Sequence, residues 1–132
     1  MDAATRLLVF ERASRCCEYC RLPQSASPFL TFHVEHIIAR QHGGSNGAEN
    51  LALACPDCNR HKGPNLASLD PQSGQLVTVF HPRRDSWHEH FEMLADVIVG
   101  LTPLGRATTR LLNMNDEERV AMRAEIREAD TE

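Results

Sequence analysis

The chain has 132 residues, 42% of them hydrophobic and 24% charged, with a formal net charge of −4. That composition suits one modest globular domain and excludes wholesale disorder. No apolar run approaches the ~20 residues of a membrane-spanning helix, and the charge excludes a protein that coats nucleic acid by bulk positive charge.

Met1–Ala4 is not a basic-then-apolar leader, so a cytoplasmic protein is expected. Ala3–Ser14 has apolar residues at helical spacing and predicts a helix. Pro23–Pro28 reads as a loop, and Phe29–Ile38, with Phe, Thr, Val and Ile, as a strand. The glycine-rich run Gln41–Gly47 is a turn or loop, and Leu51–Ala54 a second short strand. Pro56–Lys62 starts a short helix that Gly63-Pro64 ends. Gln75–Phe80 is a strand preceded by an Asp-Pro-Gln-Ser-Gly turn. Phe91–Gly100 is a helix or a hairpin; Val97-Ile98-Val99 favours strand, with Ala95-Asp96 as its turn. Thr102 is an N-cap with Pro103 at the first helical position, leading to a helix at Arg106–Leu112. Asn115–Glu118 opens a last helix that runs to about Ala129.

The five cysteines carry more information. Cys17/Cys20 and Cys55/Cys58 form two C-x-x-C pairs, with Cys16 as a spare thiol. An odd count without a leader argues against a disulfide framework. Four thiolates in two tight knuckles fit a closed structural zinc site. The 34 residues between the knuckles exceed the span of common zinc modules, so the insert must have its own purpose.

The insert carries His33, Glu35, His36, Arg40 and Asn50, and the second knuckle continues as Asn59-Arg60-His61-Lys62-Gly63. Glu35 and Asn59 are oxygen donors suited to a hard divalent cation. His36 is a suitable general base near neutral pH. In a regular strand Glu35 and His36 face opposite ways, unless a bulge or the strand end brings them to one site. Residues 1–64 hold 7 basic and 6 acidic side chains, against 7 and 12 in residues 65–132. Arg40, Arg60 and Lys62 therefore sit in the less acidic half, and base, metal and basic residues together suit phosphodiester hydrolysis.

The run E-H-I-I, H-G-G, E-N-L and C-x-x-C-N-x-x-K-G resembles the HNH nuclease family, in the variant whose ββα-metal hairpin is tied by a four-cysteine zinc. The resemblance covers Cys17 to Gly63, and Gly74 to Asn113 resembles the C-terminal extension of many small bacterial HNH proteins. It implies an α+β fold: a ββα-metal core on a zinc held by Cys17, Cys20, Cys55 and Cys58, an N-terminal helix, and a C-terminal strand and helix extension. Residues 1–70 would be the core, and 71–132 would pack on it. It implies His36 as general base, with Asn50 holding the inter-strand loop so that a backbone carbonyl orients His36. Glu35 and Asn59 would be ligands of a catalytic Mg²⁺, Mn²⁺ or other transition metal, with His61 and His33 as further candidates. The family more often has Asp at the position of Glu35, and often His at that of Asn59.

The function implied is a metal-dependent endonuclease that cuts DNA to a 5′-phosphate and a 3′-hydroxyl. Arg40, Arg60, Lys62, Arg83 and Arg84 are candidate contacts to the DNA backbone, with His42 a weaker one. Trp87 and Phe91 are expected to pack on the knuckle core. A monomer or weak dimer is expected, with no membrane association and room for a protein partner. Two alternatives remain. One is a zinc-knuckle DNA-binding module without catalysis. The other is a zinc deaminase, which His33-Val34-Glu35 followed by Cys55-Pro56-Asp57-Cys58 superficially matches.

Overall fold

The structure is a computed structural model that describes residues 1–130. Helix α1 spans Ala3–Arg12, and the Asp2 side chain caps it by accepting from the Thr5 backbone N–H at 2.7 Å. The helix stops short of Ser14 because Ser14 and Arg15 take positive φ of 53° and 56°, which turns the chain into the first knuckle.

Strands β1 (His33–His36) and β2 (Leu51–Ala54) form an antiparallel pair with His33 opposite Ala54 and His36 opposite Leu51. All four β2 residues are buried, against α1 and against α2 (Pro56–Lys62). Cys55 caps α2 through its own sulfur, which accepts from the Cys58 N–H at 3.4 Å. Pro56 takes the first helical position, where its missing N–H costs nothing. Gly63, at φ 49°, ends the helix. These elements are the ββα unit.

Beyond it, β3 (Ala67–Leu69) and β4 (Leu76–Thr78) form a second hairpin, and β5 (Phe91–Leu94) and β6 (Val97–Gly100) a third. The short α3 (Trp87–His90) precedes β5, and α4 (Pro103–Leu111) packs against β6. The last helix, α5, spans Glu117–Asp130. The fold is thus mixed, with three two-stranded sheets and five α-helices among the described residues. No described helix is long and apolar enough to cross a membrane.

Several elements differ from the sequence-based expectation. The strand expected over Phe29–Ile38 shrinks to four residues, because Phe29 lies in a loop and is 97% exposed. Between the two readings of Phe91–Gly100 the hairpin is adopted, with Ala95 at φ 53° in its turn. Thr102 and Pro103 do cap α4, which begins three residues earlier than expected at Arg106. The short β3 and α3 were not foreseen.

The C-terminal residues join the first knuckle through aromatic side chains. The Phe80 ring stands edge-on to Tyr19 at 6.3 Å and to Phe91 at 5.3 Å. The Trp87 indole lies 5.1 Å from Phe91 and donates to the Tyr19 carbonyl at 2.8 Å. Such contacts add roughly 0.5–1.5 kcal/mol per pair beyond burial itself. Trp87 and Phe91 are therefore seated on the knuckle core.

Candidate active site and metal centre

Cys17, Cys20, Cys55 and Cys58 are buried, unpaired by disulfides, and gathered with all four sulfurs within 4.8 Å of one another. The Cys20 and Cys55 sulfurs are 3.7 Å apart. A tetrahedral zinc with arms of ~2.3 Å needs sulfurs separated by about 3.8 Å, so the donor set fits that ion. His33 is not in the group, and Cys17 and Cys20 complete it, which removes the deaminase arrangement. Cys16 stays outside, its thiol donating to the Ser14 carbonyl at 3.4 Å.

A buried cation faces these sulfurs. The Arg119 side chain, on α5, is 1% exposed. Its Nη1 donates to Cys58 Sγ at 3.0 Å and reaches Cys55 Sγ at 3.8 Å. Its Nη2 donates to the carbonyls of Leu112, at 2.6 Å, and Asn113, and its Nε to Asp116 at 2.6 Å. Burial alone would lower the Arg119 pKa, but the thiolates, Cys58 foremost, and Asp116 outweigh it and hold it above the ordinary value. The guanidinium is thus a permanent counter-charge to a four-thiolate site.

The second centre is an open cleft of about 380 Å³ at the other end of the β1–β2 hairpin. Glu35, His36, Arg40 and Asn59 line it, with Val34, Ala39, Gly63 and Pro64. The strand register is regular, yet β1 ends at His36, so Glu35 and His36 border the same opening. Glu35 is buried, its side chain 6% exposed. One of its oxygens accepts from the Tyr19 hydroxyl, and the other lies 3.3 Å from Lys62 Nζ. Burial pushes the Glu35 pKa up, against the opposing pull of Lys62 and Tyr19. The Tyr19 hydroxyl is itself pushed well up by burial and by Glu35, so it remains a donor. Each carboxylate oxygen keeps a second lone pair. With the Asn59 amide oxygen they offer the hard donors that a divalent ion takes.

Asn50 ties the loop that carries the cleft. Its side chain accepts from the Ile38 N–H at 2.9 Å and donates to the Ile38 and Ser45 carbonyls at 3.0 and 2.8 Å. Gly44 is required here, because a Cβ would sit on the Ile38 carbonyl and 2.8 Å from Asn50 Nδ2. The partner of the His36 ring is not a backbone carbonyl: Nε2 lies 2.8 Å from Asn46 Oδ1.

The remaining candidates scatter. Lys62, expected at the DNA, is 2% exposed and bonds to the Ile37 carbonyl at 2.8 Å as well as to Glu35, so it is internal. Arg83 is mostly buried and paired with Glu18. Arg40, His42 and Arg84 are exposed, and exposed Arg60 pairs with Asp57 at 3.0 Å. Neither His33 nor His61 is among the residues that line the cleft: His33 is exposed at the start of β1, about 10 Å along the strand from His36. Sequence reasoning missed Arg119, Asn46 and Tyr19. Only Tyr19 carried a signal, as the one tyrosine, placed between two knuckle cysteines.

Residues 17–65 match the family model described as HNH endonuclease. Over that stretch, which holds both centres, the chain is similar to this family. No curated protein and no solved structure matches the chain.

Proposed function

We propose that this protein is a metal-dependent endonuclease that hydrolyses DNA phosphodiester bonds. The observation that supports this best is the single cleft bordered by His36, Glu35 and Asn59. A base and two oxygen donors at one opening are what in-line attack of water on a phosphate requires.

The Glu35 carboxylate and the Asn59 amide oxygen would hold a divalent ion such as Mg²⁺ or Mn²⁺, which would supply Lewis-acid stabilisation of charge on the phosphate. The chain's own groups do the rest. His36 takes a proton from the attacking water as its oxygen bonds to phosphorus. The bond from phosphorus to the 3′ oxygen breaks, and that oxygen takes a proton from solvent. The products are a 5′-phosphate and a 3′-hydroxyl. Lys62 and Tyr19 hold the Glu35 carboxylate at the cleft wall.

Arg40, beside His36, and the exposed Arg60 and Arg84 contact backbone phosphates, which position the duplex without reading its sequence. With a net charge of −4 and few free cations, the domain alone binds DNA weakly at physiological salt, without a partner or a divalent ion. The zinc does no chemistry. It stabilises a motif too small to build a sufficient core.

The test is conversion of supercoiled plasmid to nicked or linear DNA by zinc-loaded protein, with Mg²⁺, with Mn²⁺ and with neither. Cleavage that needs the divalent ion and disappears in His36→Ala is expected. No cleavage with either ion by folded, zinc-loaded wild type refutes the reading. It leaves a DNA-binding module as the alternative.

A further inference from the structure

Asn46 was an unremarked turn residue in the sequence, yet its amide oxygen is the hydrogen-bond partner of the His36 ring. We infer that Asn46 is the positioning residue of His36: it holds the ring as the Nε2–H tautomer and so leaves the Nδ1 lone pair as the proton acceptor. The catalytic part of this inference rests on the nuclease reading, whereas the tautomer does not.

An amide oxygen only accepts, so the ring nitrogen 2.8 Å from it must carry the proton. A neutral imidazole has one N–H, and fixing it at Nε2 makes Nδ1 the base. Without such a partner both tautomers are populated and the ring turns freely about its side-chain bonds. A base that must meet a water in line loses from both effects.

The surrounding hydrogen bonds set the distance between the two side chains. Asn50 holds both backbones. Its own carbonyl accepts from the Ile37 N–H at 2.8 Å, next to His36, and its amide donates to the Ser45 carbonyl at 2.8 Å, next to Asn46. On the other side of Asn46, the Gly47 carbonyl accepts from the Asn50 N–H at 2.9 Å, and the Gly47 N–H donates to Ser45 Oγ at 3.1 Å. Ser45 Oγ in turn donates to Glu49 at 2.7 Å. Asn46 is exposed, so it is not a core packing residue. Its side chain can be changed with little effect on the fold.

The experiment has two independent readouts on zinc-loaded protein. The first is the ¹⁵N signature of the His36 imidazole at alkaline pH. Wild type is expected to show the Nε2–H form, and Asn46→Ala a mixture of tautomers. The second is plasmid cleavage. Asn46→Ala is expected to lower kcat by roughly 10–100-fold, as loss of such supporting partners does, with KM for DNA unchanged. Asn46→Asp keeps the acceptor and should recover most of that loss, which a merely structural role would not predict. An Nδ1–H ring in wild type, or tautomers unchanged in Asn46→Ala, overturns the inference. So does a wild-type kcat in Asn46→Ala. If wild type does not cleave DNA but its ring is Nε2–H and is freed by Asn46→Ala, the nuclease reading fails and the positioning stands.

Discussion

Replacing Arg119 with Met removes the charge and keeps most of the side-chain volume, so the perturbation is chiefly electrostatic. Zinc on four thiolates carries a formal charge of −2, and Arg119 is the fully buried cation against it, 3.0 Å from the Cys58 sulfur. The substitution strands two sulfur acceptors, the carbonyls of Leu112 and Asn113, and the Asp116 carboxylate. Each charge-assisted bond is worth about 1.5–3 kcal/mol, but such bonds are not additive. Breaking a buried charge pair costs about 3–5 kcal/mol as a whole, and that is the expected loss. Total stability of a domain this size is about 5–15 kcal/mol, so the loss is a large part of it. The melting temperature should fall by roughly 10–20 °C. The assay is thermal unfolding of zinc-loaded protein followed by circular dichroism, with released zinc read by a colorimetric chelator. Arg119→Met should melt lower and release zinc earlier, and the gap should narrow when both proteins are metal-free. A melting point within about 3 °C of wild type, with zinc retained, refutes the counter-charge argument.

Gly44→Ala should cost about 1–3 kcal/mol, since the clashing Ile38 carbonyl belongs to the backbone that Asn50 holds. Denaturant unfolding measures the cost, and the cleavage rate should fall further than stability alone explains. The Asp70–Arg106 pair, at 2.9 Å, gives a pH prediction. Hydrogen bonds from Arg106 hold the Asp70 pKa well below its ordinary 3.8, so the folded state binds its proton later than the unfolded one. The stability from this pair is complete above pH 3.8 and is lost as pH falls further. The stability gap between wild type and Arg106→Met should therefore be constant from neutral pH down to that value, then close; a gap that widens in acid contradicts the linkage.

How much was legible follows the range of the interactions. Cysteine spacing, the Thr102-Pro103 cap and the turn at Ala95-Asp96 are local patterns whose physics fits within a few residues. The strand through Phe29 was overread because its apolar residues mimic a buried pattern, although the Phe29 ring meets only solvent. Strand β3 is three residues long, too short for any periodicity. The hardest cases were charges with distant partners. Lys62 sits in a basic motif and resembles a phosphate contact until Glu35, 27 positions earlier, is seen beside it. Arg119 finds its sulfurs 61 and 64 residues away, in a helix whose own pattern shows only an acidic, solvated face. Asn46 looked like turn chemistry because asparagine beside glycine usually is.

Trp87 is the sole tryptophan of the chain. Its indole N–H rests on the carbonyl of Tyr19, between Cys17 and Cys20, and the Arg21 guanidinium lies 4.9 Å above the ring. The molecule therefore contains its own optical probe. Excitation near the red edge of protein absorbance addresses one indole, held dry against the first knuckle. Its emission colour and intensity follow whether that knuckle is assembled, with no dye, label or added chromophore. Metal loading, unfolding and the state of the C-terminal strands can all be followed in one cuvette from this single ring.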